Sequence, residues 1–390
     1  MIPYGKHYID EDDIQAVTDV LRSGSLTQGP MVEKFEKAIA KYVGAKYAVA
    51  VSSGTAGLHI AALAAGIGPG DSLITSPMSF VASANTALYV GAKPVFSDID
   101  NATINLSPNI LKNTLLNHSN ARAVIPVHFA GLACDMAEIK KVADKSNILI
   151  IEDAAHALGA KYPNGQRVGC CSHSLMTVFS FHPVKAIAAG EGGMVTTNDE
   201  SIYHELLRLR SHGINKLSDQ YQIPEQAEEN GVSCPWYYEM QELGFNYRIT
   251  DIQCGLALSQ LNKLEKFLIR RRDLVRKYDE AFLELPNCRP AQSSGRDISG
   301  HHIYVLRIDF KKLKMSRAEL MSMLKESNVG TQVHYIPLPA HPYYRNLGFV
   351  PEDYPNALDY YNEALTIPLF YEMTDNQQQL VINTFKELLK

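Results

Sequence analysis

The sequence predicts an α/β protein, a mainly parallel central sheet sandwiched by helices, followed by a smaller α+β unit. Three observations carry this expectation. Five apolar runs of strand length, YAVAV (47–51), SLIT (72–75), AVIPV (123–127), ILIIED (148–153) and LMTVFSF (175–181), succeed one another in the first half. Between several of them lie segments of helical period, at 55–65, 79–90 and 135–145. Strands buried on both faces with helices between them are the pattern of a parallel sheet covered on both sides. After a polar stretch at 215–233 the alternation stops and a long helix, about 250–284, leads into a different mixture of elements. The expected division is a large unit over 1–245 and a smaller one over 246–390.

The first element is a helix from Asp10 to Leu21 with an acidic first turn, an apolar face of Ile14, Val17 and Leu21, and a stop at Gly24. A second helix opens at Pro30 and turns Val32, Phe35 and Ile39 inward. The glycines of GIGPG (66–70) follow a helix and flank a proline, so they form a turn rather than a dinucleotide loop. In the smaller unit a loop rich in Pro, Ser and Gly (286–300) precedes strand HIYVLRID, helix 316–326, strand TQVHY and a last helix at 374–388.

Composition narrows the function classes. The 390 residues are 46% hydrophobic, enough for a large core, and exclude a disordered chain. With 37 basic against 42 acidic residues and no block of like charge, the basic footprint of a nucleic-acid binder is missing. No apolar run approaches the roughly 18 residues of a membrane span. Six cysteines without a CxxC pair, and a charged start where a signal peptide needs an apolar core, point to a reducing cytoplasm. The histidines lack metal-ligand spacing, so no metal site is expected.

Ligands of open parallel sheets bind outside the carboxyl ends of the strands, and three such ends carry unusual residues. After YAVAV comes Ser52-Ser53-Gly54-Thr55, leading into a helix whose free N–H groups suit a phosphate or are satisfied by a simple N-cap. ILIIED ends in Glu152-Asp153 and continues to His156; a carboxylate there needs a cation or several donors, or acts as a cap. LMTVFSF is followed by Lys185 and then Gly190-Glu191-Gly192-Gly193. Small neighbours and no carboxylate within three residues would depress the pKa of a buried Lys185, as a nucleophilic amine requires.

At these residues the chain resembles the PLP-dependent nucleotide-sugar aminotransferases (DegT/DnrJ/StrS type, fold type I). The matching segments include GSLTQGP (24–30), SSGTAGL (52–58), SPMSFVASAN (76–85), IEDAAHALGA (151–160), FSFHPVKAIAAGEGGMV (179–195), ELGFNYRITDIQCGLALSQL (242–261) and QVHYIPL (332–338). Within that family SFHPVK, PWYYE and NYRITDIQ are most similar to the C4 aminotransferases of pseudaminic acid biosynthesis, which act on a UDP-linked 4-keto-6-deoxy-N-acetylhexosamine.

The resemblance implies pyridoxal 5'-phosphate (PLP) as cofactor, a nucleotide-sugar substrate and L-glutamate as donor. It implies that Lys185 holds the cofactor covalently and shuttles a proton, that Asp153 pairs with the pyridine nitrogen and that Phe80 stacks on the ring. Gly54, Thr55 and Ser180 would hold the phosphate, and His156 would lie near the 3'-oxygen. Asn246 would reach the phosphate of the neighbouring subunit, making a homodimer with shared active sites. Tyr4, the Gly24-Ser25-Leu26-Thr27 turn and Gln332-Val333-His334-Tyr335 match positions lining the sugar pocket. Ala188-Ala189 stand where many relatives have Thr-Thr, so a hydroxyl near the lysine is missing. A dehydratase of this cofactor class has His in place of the lysine, and Lys185 argues against that alternative. Arg248 suits a donor carboxylate or an ion pair with Asp251.

Overall fold

The computed structural model describes residues 1–389; Lys390, the last residue of the expected second unit, lies outside them. Strands β1 (Tyr47–Val51), β2 (Ser72–Thr75), β3 (Lys93–Phe96), β4 (Ala121–Ile125), β5 (Leu149–Asp153), β6 (Met176–Ser180) and β7 (Gly193–Thr197) form one sheet. Their order across it is β1, β7, β6, β5, β4, β2, β3. The pairs from β3 to β6 are parallel, whereas β7 runs antiparallel to both β1 and β6. Val49, Ile74, Val124, Ile151 and Val178 are all buried, as a sheet covered on both faces requires.

Two strands of this sheet escaped the sequence pattern. β3 is four residues, KPVF, opened by lysine and carrying a proline that an edge strand tolerates. β7 opens on the last glycine of the GEGG run, which reads as a turn. The strand expected at 123–127 is shifted, with β4 covering Ala121–Ile125.

Helices α1 (Glu11–Arg22), α2 (Pro30–Val43), α3 (Gly54–Ala64), α4 (Ala82–Tyr89), α5 (Pro108–Asn117), α6 (Met136–Ser146) and α7 (Glu200–Arg210) precede the long α8 (Asp251–Phe282). One apolar core joins Phe35, Ile39, Ile139 and Phe181 on one side of the sheet, and a second joins Ile60, Leu73, Val195 and Leu206 on the other. The smaller three-stranded sheet, Cys288–Pro290, Tyr304–Ile308 and Ala364–Ile367, has its own core with Leu320, Val381 and Phe385. α8 spans two of these cores, giving Leu264 and Leu268 to the first and Leu274 and Tyr278 to that of the smaller sheet.

Three local expectations are corrected. The expected apolar face of α1 is not its buried face: Ile14 and Leu21 are exposed, while Asp13 and Val20 are buried against α8. Asp13 pays for its burial with hydrogen bonds from Ser259 Oγ (2.6 Å) and Gln260 Nε2 (2.7 Å) and an ion pair with Lys263 (3.0 Å). TQVHY forms no strand: it adds to the edge strand Ala364–Ile367 only through a single antiparallel bridge from Gln332 to Thr366. The loop at 286–300 contains the short strand Cys288–Pro290.

Candidate active site

The parallel strands deliver their carboxyl ends to one cavity of about 490 Å³, lined among others by Gly54, Thr55, Phe80, Asp153, His156, Ser180, Lys185, Tyr4, His334 and Tyr335. Each arrives by a local device. Ser53 caps α3, its Oγ accepting from Ala56 N–H at 3.1 Å. The cap leaves Gly54 and Thr55 N–H, first-turn donors without a helical acceptor, beside the cavity. A Cβ on Gly54 would lie 3.0 Å from Ser180 Cβ, so this glycine lets the β6 end approach the α3 turn. Gly193 is tighter: a Cβ there would stand 2.5 Å from Ser53 O and 2.7 Å from Gly54 N.

Lys185 sits in the connection between β6 and β7, whose antiparallel register pairs Ser180 with Gly193. Phe181 N–H donates to Gly192 O at 2.8 Å and Lys185 N–H to His182 O at 2.8 Å, shaping the loop. Gln253 Nε2 at the start of α8 donates to Glu191 O at 2.8 Å and anchors its far side. Loss of water around the Lys185 amine lowers its pKa to about 8, with the Asp153 charge opposing that fall.

Asp153 is buried at the end of β5. Its Oδ2 accepts from Ser83 Oγ at 2.6 Å and its Oδ1 from Ala155 N–H at 3.1 Å, so it caps its own turn while lining the cavity. His156 Nε2 meets the Tyr335 hydroxyl at 3.0 Å, and its buried Nδ1 has no partner among the described residues. Burial, then the charges of Lys185 and His334, hold the His156 pKa well below the ordinary histidine value, keeping the ring neutral. His334 Nδ1 meets Thr366 Oγ1 at 2.8 Å, and burial followed by the Lys185 charge lowers its pKa to about 4. Tyr4 lies against His334, ring centres 5.5 Å apart, and Phe80 stands 6.4 Å from Tyr335 with 58% of its surface exposed.

Other residues singled out in the sequence stand apart from this cavity. Gly24, Leu26, Thr27, Gln332 and Asn246 are exposed and Ser25 and Val333 half-buried, and none lines the cavity of its own chain. Thr27 bridges Thr250, and Asn246 bridges Ser211. Asp251 does not pair with Arg248: it caps α2 instead, accepting from Gly29 N–H (2.8 Å) and Met31 N–H (2.9 Å). Ser83, which holds Asp153, and Glu191 and His182, which line the cavity, stand inside the matched segments but carry no expected role there. Glu191 lay in view beside the lysine loop, whereas the approach of Ser83 to Asp153 spans 70 residues.

The cavity fits pyridoxal phosphate on its own terms. It offers a carboxylate with one strong donor, an amine of lowered pKa, unpaired first-turn amides beside a hydroxyl, and the orphaned His156 Nδ1.

Comparison with known proteins agrees. The model of the DegT/DnrJ/EryC1/StrS aminotransferase family matches residues 7–386. The spore coat polysaccharide biosynthesis protein SpsC of Bacillus subtilis (strain 168) is 40% identical over 392 residues, covering 100% of this chain and 97% of that protein. The PMP-form structure of Spr1654 from Streptococcus pneumoniae superposes with a TM-score of 0.89 at 30% identity, covering 100% of this chain and 99% of that one. Helicobacter pylori PseC, an aminotransferase involved in the biosynthesis of pseudoaminic acid, gives 0.89 at 28% identity, covering 100% and 99%. With its family match running nearly end to end, the chain belongs to the DegT/DnrJ/EryC1/StrS aminotransferase family and is a PLP-dependent sugar aminotransferase.

Proposed function

We propose that the chain transfers the amino group of L-glutamate to C4 of a UDP-linked 4-keto-6-deoxy-N-acetylhexosamine, giving UDP-4-amino-4,6-dideoxy-N-acetyl-β-L-altrosamine for pseudaminic acid biosynthesis. The observation that carries the amino transfer is the meeting of Lys185, Asp153 and the Gly54-Thr55-Ser180 cradle in one cavity. The full-length similarity to PseC supports the sugar.

When bound, pyridoxal phosphate supplies an aldehyde carbon that takes up the amino group and an electron-withdrawing ring. Lys185 Nζ would hold it covalently and would carry a proton to and from that carbon; burial lowers the free amine to about 8, so it loses its proton close to neutral pH. Asp153 would pair with the ring nitrogen, Phe80 would cover one face, and neutral His156 would offer its unpaired Nδ1 to the 3'-oxygen. Gly54 and Thr55 amides and the Ser180 hydroxyl would hold the phosphate, and Tyr4, His334 and Tyr335, which line the same cavity, would wall the sugar side.

The site is completed in a homodimer. Asn246 and the Gly24–Thr27 turn lie outside their own cavity and are exposed or half-buried, available to a second copy. Leu26 in that turn, and Trp236, Met240 and Leu243 in the ten residues before Asn246, expose apolar surface that a monomer would leave wet. Six free cysteines accord with a cytoplasmic site of action.

The higher identity to SpsC, 40% against 28% for PseC, favours a second reading, a different nucleotide-linked keto sugar bound for a polysaccharide. The two part in one assay. The PLP-loaded protein is given L-glutamate with UDP-linked 4-keto and 3-keto hexosamines, and the products are assigned by NMR. A C4 amine of altro configuration is expected; turnover confined to another keto sugar establishes the second reading, and no turnover of the UDP-linked 4-keto sugar contradicts the first.

A further inference from the structure

Glu152 precedes Asp153 on β5, and strand alternation turns its side chain to the opposite face, away from the cavity. There it is fully buried and collects four donors. Oε2 accepts from His128 Nε2 (2.7 Å) and the Tyr162 hydroxyl (2.6 Å), and Oε1 from the Ser174 hydroxyl and Thr177 Oγ1 (3.1 Å). The His128 ring is oriented in turn, since Cys134 N–H donates to Nδ1 at 3.1 Å, which leaves the ring proton on Nε2 for Glu152. Both oxygens thus face donors, the arrangement of an ionised carboxylate, and no lysine or arginine among the described residues pairs with it.

A buried carboxylate that meets a histidine but no lysine or arginine is a costly way to fill a core, and apolar packing would serve stability as well. Its connections suggest what it holds. The His128 backbone N–H donates to Asp153 O at 3.1 Å, and Asp153 N–H donates to Pro126 O at 2.9 Å. Thr177, on the neighbouring strand, sits opposite Glu152 in the register that sets Val178 opposite Asp153. One carboxylate therefore ties the 126–128 segment, β5 and β6 together at the residue that presents Asp153.

We propose that Glu152 and His128 are positioning residues, a brace behind the strand end that fixes where the Asp153 carboxylate meets the cofactor ring. This rests on the role proposed above for Asp153. Glu152→Gln keeps the shape but points an amide N–H₂ at two donors; Tyr162→Phe removes one donor and leaves the rest.

Apo-protein of each variant is titrated with PLP, and the visible absorbance of the loaded protein is followed against pH, with thermal unfolding measured alongside. Glu152→Gln is expected to weaken PLP binding roughly tenfold and to move the absorbance midpoint, with Tyr162→Phe displaced less in the same direction. If both variants melt earlier yet bind PLP and titrate as wild type does, Glu152 is a core residue and the brace is rejected. Should Glu152→Gln not fold, Tyr162→Phe decides alone: an unchanged affinity and midpoint reject the proposal. Asp153→Asn separates the two layers. A wild-type titration from that variant overturns the role of Asp153 itself, whereas normal brace variants beside a defective Asp153→Asn overturn the brace only.

Discussion

Ser83 Oγ donates to Asp153 Oδ2 at 2.6 Å, joining the first turns of α4 to the end of β5 across 70 residues of sequence. The bond holds the carboxylate from the side while Ala155 N–H holds Oδ1, so the charge that faces the cavity is oriented before any ligand arrives. Asp153→Asn should retain the cap but lose the charge, lowering turnover by about a hundredfold or more, and Ser83→Ala by roughly tenfold. Steady-state kinetics on both checks this. An Asn variant with full activity would show that the carboxylate serves only the turn.

The lowered pKa of Lys185 has a consequence for stability. In the cofactor-free protein its folded value is about 8 against 10.5 in the unfolded chain. Between those values the unfolded state binds more protons, so this residue's penalty is full below about pH 8 and is relieved as pH rises toward 10.5. Lys185→Met should therefore melt above apo wild type at neutral pH, with the difference shrinking through that window. Melting curves at several pH values test it, and a pH-independent difference would contradict the assignment.

Gly193→Ala places a methyl group 2.5 Å from Ser53 O. Backbone cannot yield there as a flexible side chain can, so the α3 turn moves away from Ser180. PLP affinity should fall by at least about tenfold, and stability by about 1–3 kcal/mol. Titrating apo-protein with PLP, beside a melting curve, reads both. A variant with wild-type affinity would mean that the turn does not hold the phosphate.

Shared sites predict complementation. Inactive Lys185→Ala chains mixed with inactive Asn246→Asp chains should regain activity, because one site of each heterodimer keeps both residues intact. Mass spectrometry verifies that subunits have exchanged. Exchange without recovered activity would place Asn246 in the service of its own chain.

Much of this architecture was legible in one dimension. YAVAV, SLIT and ILIIED stand within a residue of β1, β2 and β5, since continuous burial leaves an apolar run. Lys185, Asp153 and the Ser53-Gly54-Thr55 turn were marked by their places at strand ends, and the structure brings them to one cavity. What stayed hidden depends on distant partners. Proline-bearing β3 and glycine-opened β7 gain their strand character from neighbours in the sheet. Asp13 is buried in α1 in place of Ile14 because Ser259, Gln260 and Lys263 of α8 satisfy it. The Ser83–Asp153 and Glu152–His128 contacts leave no periodic trace at all.

Everything proposed for this site depends on the Lys185 amine carrying the cofactor in the cavity that Asp153 and the α3 turn line. Reducing the PLP-loaded protein with borohydride and mapping its peptides tests this most directly. A pyridoxyl group is expected on Lys185 and none on the Lys185→Ala variant; a label on any other lysine of the wild-type chain overturns the assignment.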